Sequence, residues 1–192
     1  MKKITILASV AAALMFSFTS VAQGNYTMDK AHSSVGFTIT HLSISDIDGS
    51  FKTFDSKFTS SKEDFSDATF DFTADVNSIN TDNEKRDGHL KSADFFDVAK
   101  FSTLTFKSKT VKKVTGNKYT IIGDMTMHGV TKTVSFEAMI RSGVNPMSKK
   151  TVVGVKVNGT VNRSMFGVGA NMPGTMLSED VVVRGSAEFS KD

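Results

Sequence analysis

The sequence has no cysteine, no tryptophan and only two prolines among its 192 residues. Without cysteine there is no disulfide, no thiol-linked lipid anchor, no cysteine-ligated metal and no cysteine nucleophile. A domain of ~150 residues buries ~70% of its unfolded surface, so a chain of this size can do without disulfides. A strong charge of either sign is also missing, with 23 Lys and Arg against 20 Asp and Glu. That balance argues against nucleic acid as a partner. Motifs of local chemistry are absent too. There is no GxSxG elbow, no phosphate-cradling loop ending in lysine, and no HxH or HExxH spacing among the four histidines.

Long apolar runs are scarce, and the one that exists lies at the N-terminus. Lys2 and Lys3 precede an apolar stretch from Ile4 to Phe18, and Ser20-Val21-Ala22 follows with small residues. This order predicts a cleaved secretory signal over residues 1–22, and the run is short of the ~20 residues of a spanning helix. Cleavage would leave residues 23–192 as one domain with no stable membrane insertion. It would also remove two lysines, leaving 21 basic and 20 acidic residues. In a diderm bacterium the expected address is the periplasm.

What the remaining chain has in abundance is alternation. Val35, Phe37, Ile39 and His41 alternate with small polar residues, and so do Phe70, Phe72, Ala74 and Val76. The rhythm recurs at Leu104 and Phe106, from Tyr119 to Met127, from Val134 to Ile140, from Val153 to Val161 and from Val181 to Phe189. Period two over such runs predicts half-buried antiparallel strands. With a further strand near Phe51 to Phe58, the total is about eight. Turn residues at Thr115-Gly116-Asn117, at His128-Gly129-Val130 and between Ser142 and Lys150 suit hairpins. Eight such strands in one domain predict an all-β fold, a closed antiparallel barrel or a sandwich.

The signal-free chain holds 14 phenylalanines and 8 methionines but only two tyrosines. These side chains could wall a ligand cavity or fill a solid core, and composition alone favours the solid core. His41 is in phase with Val35, Phe37 and Ile39, so it should face the interior. Asn83 to Phe96 breaks the rhythm and predicts a helical turn or two, holding the polar cluster Arg86, Asp87 and His89. It reads either as a solvated cap or as a lid, with Leu90, Phe95 and Phe96 closing the apolar side. Singly, His32 and His128 read as strand-end or turn residues, and Asp124 and Arg163 as a structural ion pair. No metal site is expected.

Six pieces in register resemble the YceI-like family. They are Asp29-Lys30-Ala31-His32-Ser33 with Phe37 and His41; Gly49-Ser50-Phe51; Ser78-Ile79-Asn80-Thr81; Arg86-Asp87-Gly88-His89-Leu90 with Asp94-Phe95-Phe96-Asp97; Gly123 to Thr131; and Arg163-Ser164-Met165-Phe166-Gly167. Ser102 stands where the family often has proline. The resemblance implies an eight-stranded lipocalin-like barrel with a short helical lid. It also implies a polyisoprenoid lipid, such as an isoprenoid quinone, as the bound ligand, with no catalytic residues and no other cofactor.

On that basis Phe37, Phe51, Phe106, Met125, Met127, Phe136 and Phe166 are expected at the ligand. His41, Arg86, Asp87, His89, Leu90, Phe95 and Phe96 are expected at its mouth or head group. A homodimer is left open. Two other readings remain: a hydrolase or isomerase using His41 or His89 as general base, and a solid-core stress-response or interaction module.

Overall fold

A computed structural model describes residues 24–192, so the secretion signal read in residues 1–22 lies outside the described residues. Ten strands follow in order: β1 Gly24–His41, β2 Ser45–Phe51, β3 Phe54–Ser60, β4 Thr69–Asp75, β5 Ile79–Asn80, β6 Thr103–Thr115, β7 Lys118–Met127, β8 Val130–Val144, β9 Thr151–Asn162 and β10 Leu177–Lys191. One helix, α1, spans Glu84–Lys91.

The strands close into an antiparallel barrel. Neighbours run β10-β9-β8-β7-β6-β4-β3-β1, and β1 pairs back onto β10. The ring has eight positions because β2 and β3 share one. Gly24–Tyr26 of β1 pair with Phe58–Ser60, and Gly36–His41 pair with Ser45–Ser50, on the same edge of β1. The strand expected over Phe51 to Phe58 is thus kinked at Lys52 and Thr53. Both amides there leave the ladder: Lys52 N donates to the Ser78 carbonyl at 3.1 Å and Thr53 N to Ser78 Oγ at 2.9 Å.

Each expected run is a strand, and its alternation gives the sidedness. In β7, Tyr119, Ile121, Gly123, Met125 and Met127 are buried, and the residues between them are not. A register slip by one would turn all five outward, so the pattern sets the pairing. Met127 and Val130 flank a two-residue turn in which His128 (φ 53°) and Gly129 (φ 75°) are left-handed. Such primed turns match the twist of the strands they join. Strand β1 reaches back to Gly24, with Tyr26 and Met28 extending its inward row. Its pairing with β10 is irregular between Asp29 and Ser34, and His32 sits in that bulge rather than at a strand end.

The two ends are closed differently. At one, the loop after β3 tucks in Phe65 and Ala68, and Tyr119 Oη donates to the Asp64 carbonyl at 2.9 Å. Asp67 holds that loop together by accepting from Ser60 Oγ, Ser61 and the Lys62 amide. Burial alone would raise its pKa, but these hydrogen bonds outweigh it and leave the carboxyl well below its ordinary value. At the other end lie α1, the segment after it and the loop between β9 and β10.

Candidate functional site

The inward faces do not meet in a solid core. They enclose a cavity of about 670 Å³, which falls within the usual range for ligand sites. The solid interior favoured by composition is therefore incorrect. Side chains on the far walls of an eight-stranded barrel, even phenylalanines, stop short of filling the lumen. Phe37 of β1, Phe51 of β2, Phe106 of β6, Met125 and Met127 of β7 and Phe136 of β8 all line it. The aromatic rings support each other: Phe106 and Phe136 meet edge to face at 5.4 Å, and Phe37 and Phe51 lie 6.0 Å apart.

The lid has little apolar surface of its own, so capping and side-chain hydrogen bonds hold it. Asn83 is the N-cap, and its side chain accepts from Arg86 N at 3.0 Å. Glu84 and Asp87 lie in the first turn, with His89 and Lys91 in the last, as the helix dipole favours. The chain then folds back, Phe96 N donating to the Leu90 carbonyl at 3.0 Å. This brings Leu90, Phe95 and Phe96 to the cavity, with Phe96 edge-on to Phe51 at 6.3 Å.

Arg86, His89 and His41, with Thr81, Ser45 and Arg163, supply polar groups to a wall that is otherwise largely apolar. Arg86 Nε donates to Thr81 Oγ1 at 2.7 Å and Nη2 to the Thr81 carbonyl at 2.6 Å. Among the described residues it has no carboxylate within ion-pair distance. His89 Nε2 meets Asp94 Oδ2 at 3.1 Å, and its ring stands edge-on to Phe95 at 5.0 Å. Among the described residues no serine or threonine hydroxyl is hydrogen-bonded to a histidine ring. The site offers hydrogen-bond donors at its rim and no activated nucleophile of the Ser–His kind.

Two expected contacts are corrected. Asp87 does not line the cavity. It is buried behind Thr81, accepting from the Thr81 amide at 2.9 Å and from Thr81 Oγ1 at 2.6 Å. A buried carboxylate takes the donors nearest to it, and here Thr81 relays its hold to Arg86. Phe166 also lies outside the lining. It is 1% exposed in a 3₁₀ turn over Ser164–Phe166, and its carbonyl accepts from His128 Nδ1 at 3.3 Å.

The expected pair of Asp124 and Arg163 does not form either. Asp124 takes Lys109 Nζ at 2.6 Å and Thr133 Oγ1 at 2.7 Å on the outer face. Arg163 is 4% exposed and borders the cavity instead. Its five N–H groups donate to the carbonyls of Val168, Gly169, Met172, Leu177 and Ser178 at 2.6–3.0 Å. Burial lowers its pKa, with the Glu179 carboxylate opposing the shift. This cation organises the whole loop between β9 and β10. The sequence hint was a lone arginine ahead of a long uncharged, glycine-rich stretch.

Away from the cavity, Asp29, His32 and Glu188 gather at the β1 bulge, with His32 Nδ1 and Asp29 Oδ2 2.7 Å apart. This half-buried outer cluster is the one grouping of metal-ligand side chains among the described residues. The hydrogen bond to Asp29 raises the His32 pKa above its usual value.

The family model of the YceI-like domain matches residues 26–189. A UPF0312 protein of Staphylococcus aureus is 44% identical over 172 residues, covering 86% of this chain and 97% of that protein. Among solved structures, the YCEI protein of Campylobacter jejuni is 32% identical with a TM-score of 0.73, covering 87% of this chain and 98% of that one. A polyisoprenoid binding domain from Saccharophagus degradans, implicated in plant cell wall breakdown, shares the fold at 14% identity. Its TM-score is 0.65, over 87% of this chain and 98% of that one.

Proposed function

Since this chain belongs to the YceI-like family, we propose that it is a carrier or store for a long isoprenoid lipid, exported to the periplasm by residues 1–22. The observation that carries the reading is the cavity of about 670 Å³, walled by phenylalanine, methionine and branched aliphatic side chains. Such a space suits an uncharged chain with no polar groups along its length. Each methylene moved out of water contributes about 0.8 kcal/mol, so an isoprenoid tail can be held without any covalent step. The Saccharophagus degradans domain, described as polyisoprenoid-binding, supports the same ligand class on the same fold.

In this reading the head group lies at the lid end. Arg86 has no carboxylate partner and is aimed by Thr81, so it can donate to a carbonyl or other oxygen acceptor. His41 and His89 border the same region. The role is binding rather than catalysis, and the tail supplies the affinity while the rim sets orientation.

The test is mass spectrometry of organic extracts from the purified protein. An isoprenoid should co-purify in near-stoichiometric amount, and added isoprenoid quinone should load any empty fraction. A clean extract together with no uptake of added quinone would overturn the proposal.

A further inference from the structure

The lid end carries two kinds of surface, the charged helix α1 and, apart from it, two segments that hold no charge at all. At the opposite end the loop after β3 holds Lys62, Glu63, Asp64 and Asp67, and Lys149 and Lys150 lie in the hairpin between β8 and β9. At the lid end, the β9–β10 loop has no Asp, Glu, Lys or Arg from Ser164 to Ser178, and neither does the β1–β2 turn from His41 to Ser45. These two uncharged segments touch, Leu42 N donating to the Met176 carbonyl at 2.9 Å. Their apolar side chains point outward: Ile44 is 84% exposed, Met165 56%, Met176 47% and Leu42 46%. Met176 also lines the cavity, as do His41 and Ser45 on either side of the turn. Apolar exterior and apolar lumen therefore adjoin at one rim.

The turn holds these side chains out against the preference of its own backbone. Ile44 N donates to the His41 carbonyl at 3.0 Å, and Leu42 (φ 52°) and Ser43 (φ 57°) are both left-handed. Positions of this kind favour asparagine and glycine, and a leucine there is uncommon. Its side chain is not buried in return. A strained turn that displays leucine and isoleucine beside a cavity mouth has the character of an interaction surface.

We propose that this rim docks the barrel on a lipid bilayer, with Leu42 and Ile44 entering the acyl boundary and the cavity mouth facing the membrane. An isoprenoid chain would then pass between bilayer and lumen without crossing water. The inference rests on the isoprenoid-binding reading above. A second copy of the chain seated on the rim would instead close both mouths against the source of the ligand. Because the two contacting segments carry no charge of their own, neutral lipid is sufficient and salt has little effect.

The experiment is flotation of the purified protein with phosphatidylcholine vesicles at low and high salt, alongside the double variant Leu42→Asn/Ile44→Thr. Wild type should float at both salt concentrations, and the variant should partition about tenfold or more weakly. The variant should take up isoprenoid quinone from detergent solution as wild type does. Its melting temperature should not fall, because asparagine suits the turn better than leucine does. The proposal is overturned if wild type takes up quinone but does not float, or if the variant floats equally well. A rim-dependent dimer on size exclusion with no flotation overturns it too. A protein that floats through this rim yet takes up no isoprenoid keeps the docking surface and defeats the carrier reading.

Discussion

Replacing Arg163 with lysine isolates what a guanidinium does at the edge of the cavity. The charge and much of the stem remain, but an ammonium has three N–H groups where the guanidinium has five, each donating to a different carbonyl. At least two of the five carbonyls lose their donor. Those of Val168 and Gly169 are bonded to Nη1 in buried surroundings, where water reaches least. Gly169 still accepts from the Met172 amide at 2.9 Å, so the Val168 carbonyl is the one left without a donor there. An orphaned buried acceptor costs about 1–3 kcal/mol, so Arg163→Lys should lose about 2 kcal/mol. For a domain of this length that lowers the melting temperature by roughly 4–8 °C. Arg163→Met, which removes every donor, should lose more.

Urea unfolding gives the magnitude, and hydrogen exchange gives the place. Protection should fall first in the loop between β9 and β10, ahead of the barrel strands. A loss below about 1 kcal/mol in the lysine variant, with protection in that loop unchanged, would refute the reasoning. The loop would then be held by its own backbone turns.

Three further outcomes are expected. Asp67 has its pKa depressed in the folded state, so its contribution is present above the ordinary carboxylate value of 3.8 and is lost as pH falls through and below it. The stability gap between wild type and Asp67→Asn, measured by urea midpoints, should therefore be full at neutral pH and shrink on acidification; a constant gap refutes the assignment. A Cβ at Gly49 would lie 2.2 Å from Phe37 Cζ, so Gly49→Ala must push that ring into the lumen. It should cost about 1–3 kcal/mol and weaken isoprenoid binding, and unchanged affinity in a titration would contradict the position of Phe37 in the wall. Thr81→Val removes the hydroxyl joining Asp87 to Arg86, and should lose about 2 kcal/mol. It should weaken binding of a quinone more than that of a headless hydrocarbon chain, and an equal effect on both would separate Arg86 from the head group.

The strands were legible because one face of each is wet and the other is not. A residue such as Ile121 cannot move by one position without turning outward, so period two in the sequence carries straight through to the wall. The lid was legible for the converse reason, since NEKRDGHL suits no half-buried strand. Hollowness was not legible. Phe106 and Phe136 look the same in a sequence whether they meet across a gap or fill it, because the difference depends on barrel radius.

Asp87 was misplaced because a charge beside Arg86 reads as part of one polar cluster, whereas its carboxylate turns away to Thr81. Phe166 was misplaced because its phase is set by a 3₁₀ turn, not by a strand. Arg163 was assigned to Asp124 because its partners are all backbone carbonyls, which no side-chain pattern in a sequence identifies.

The methionines provide the most direct test of the central claim. Met28, Met125, Met127, Met172 and Met176 line the cavity, and Met139, Met147 and Met165 do not. Methyl-labelled methionine observed by NMR during titration with an isoprenoid quinone therefore carries its own internal control. The five lining methyls should shift with saturation and the other three should stay in place. Shifts confined to Met139, Met147 and Met165, or no shifts at all at saturating ligand, would contradict it.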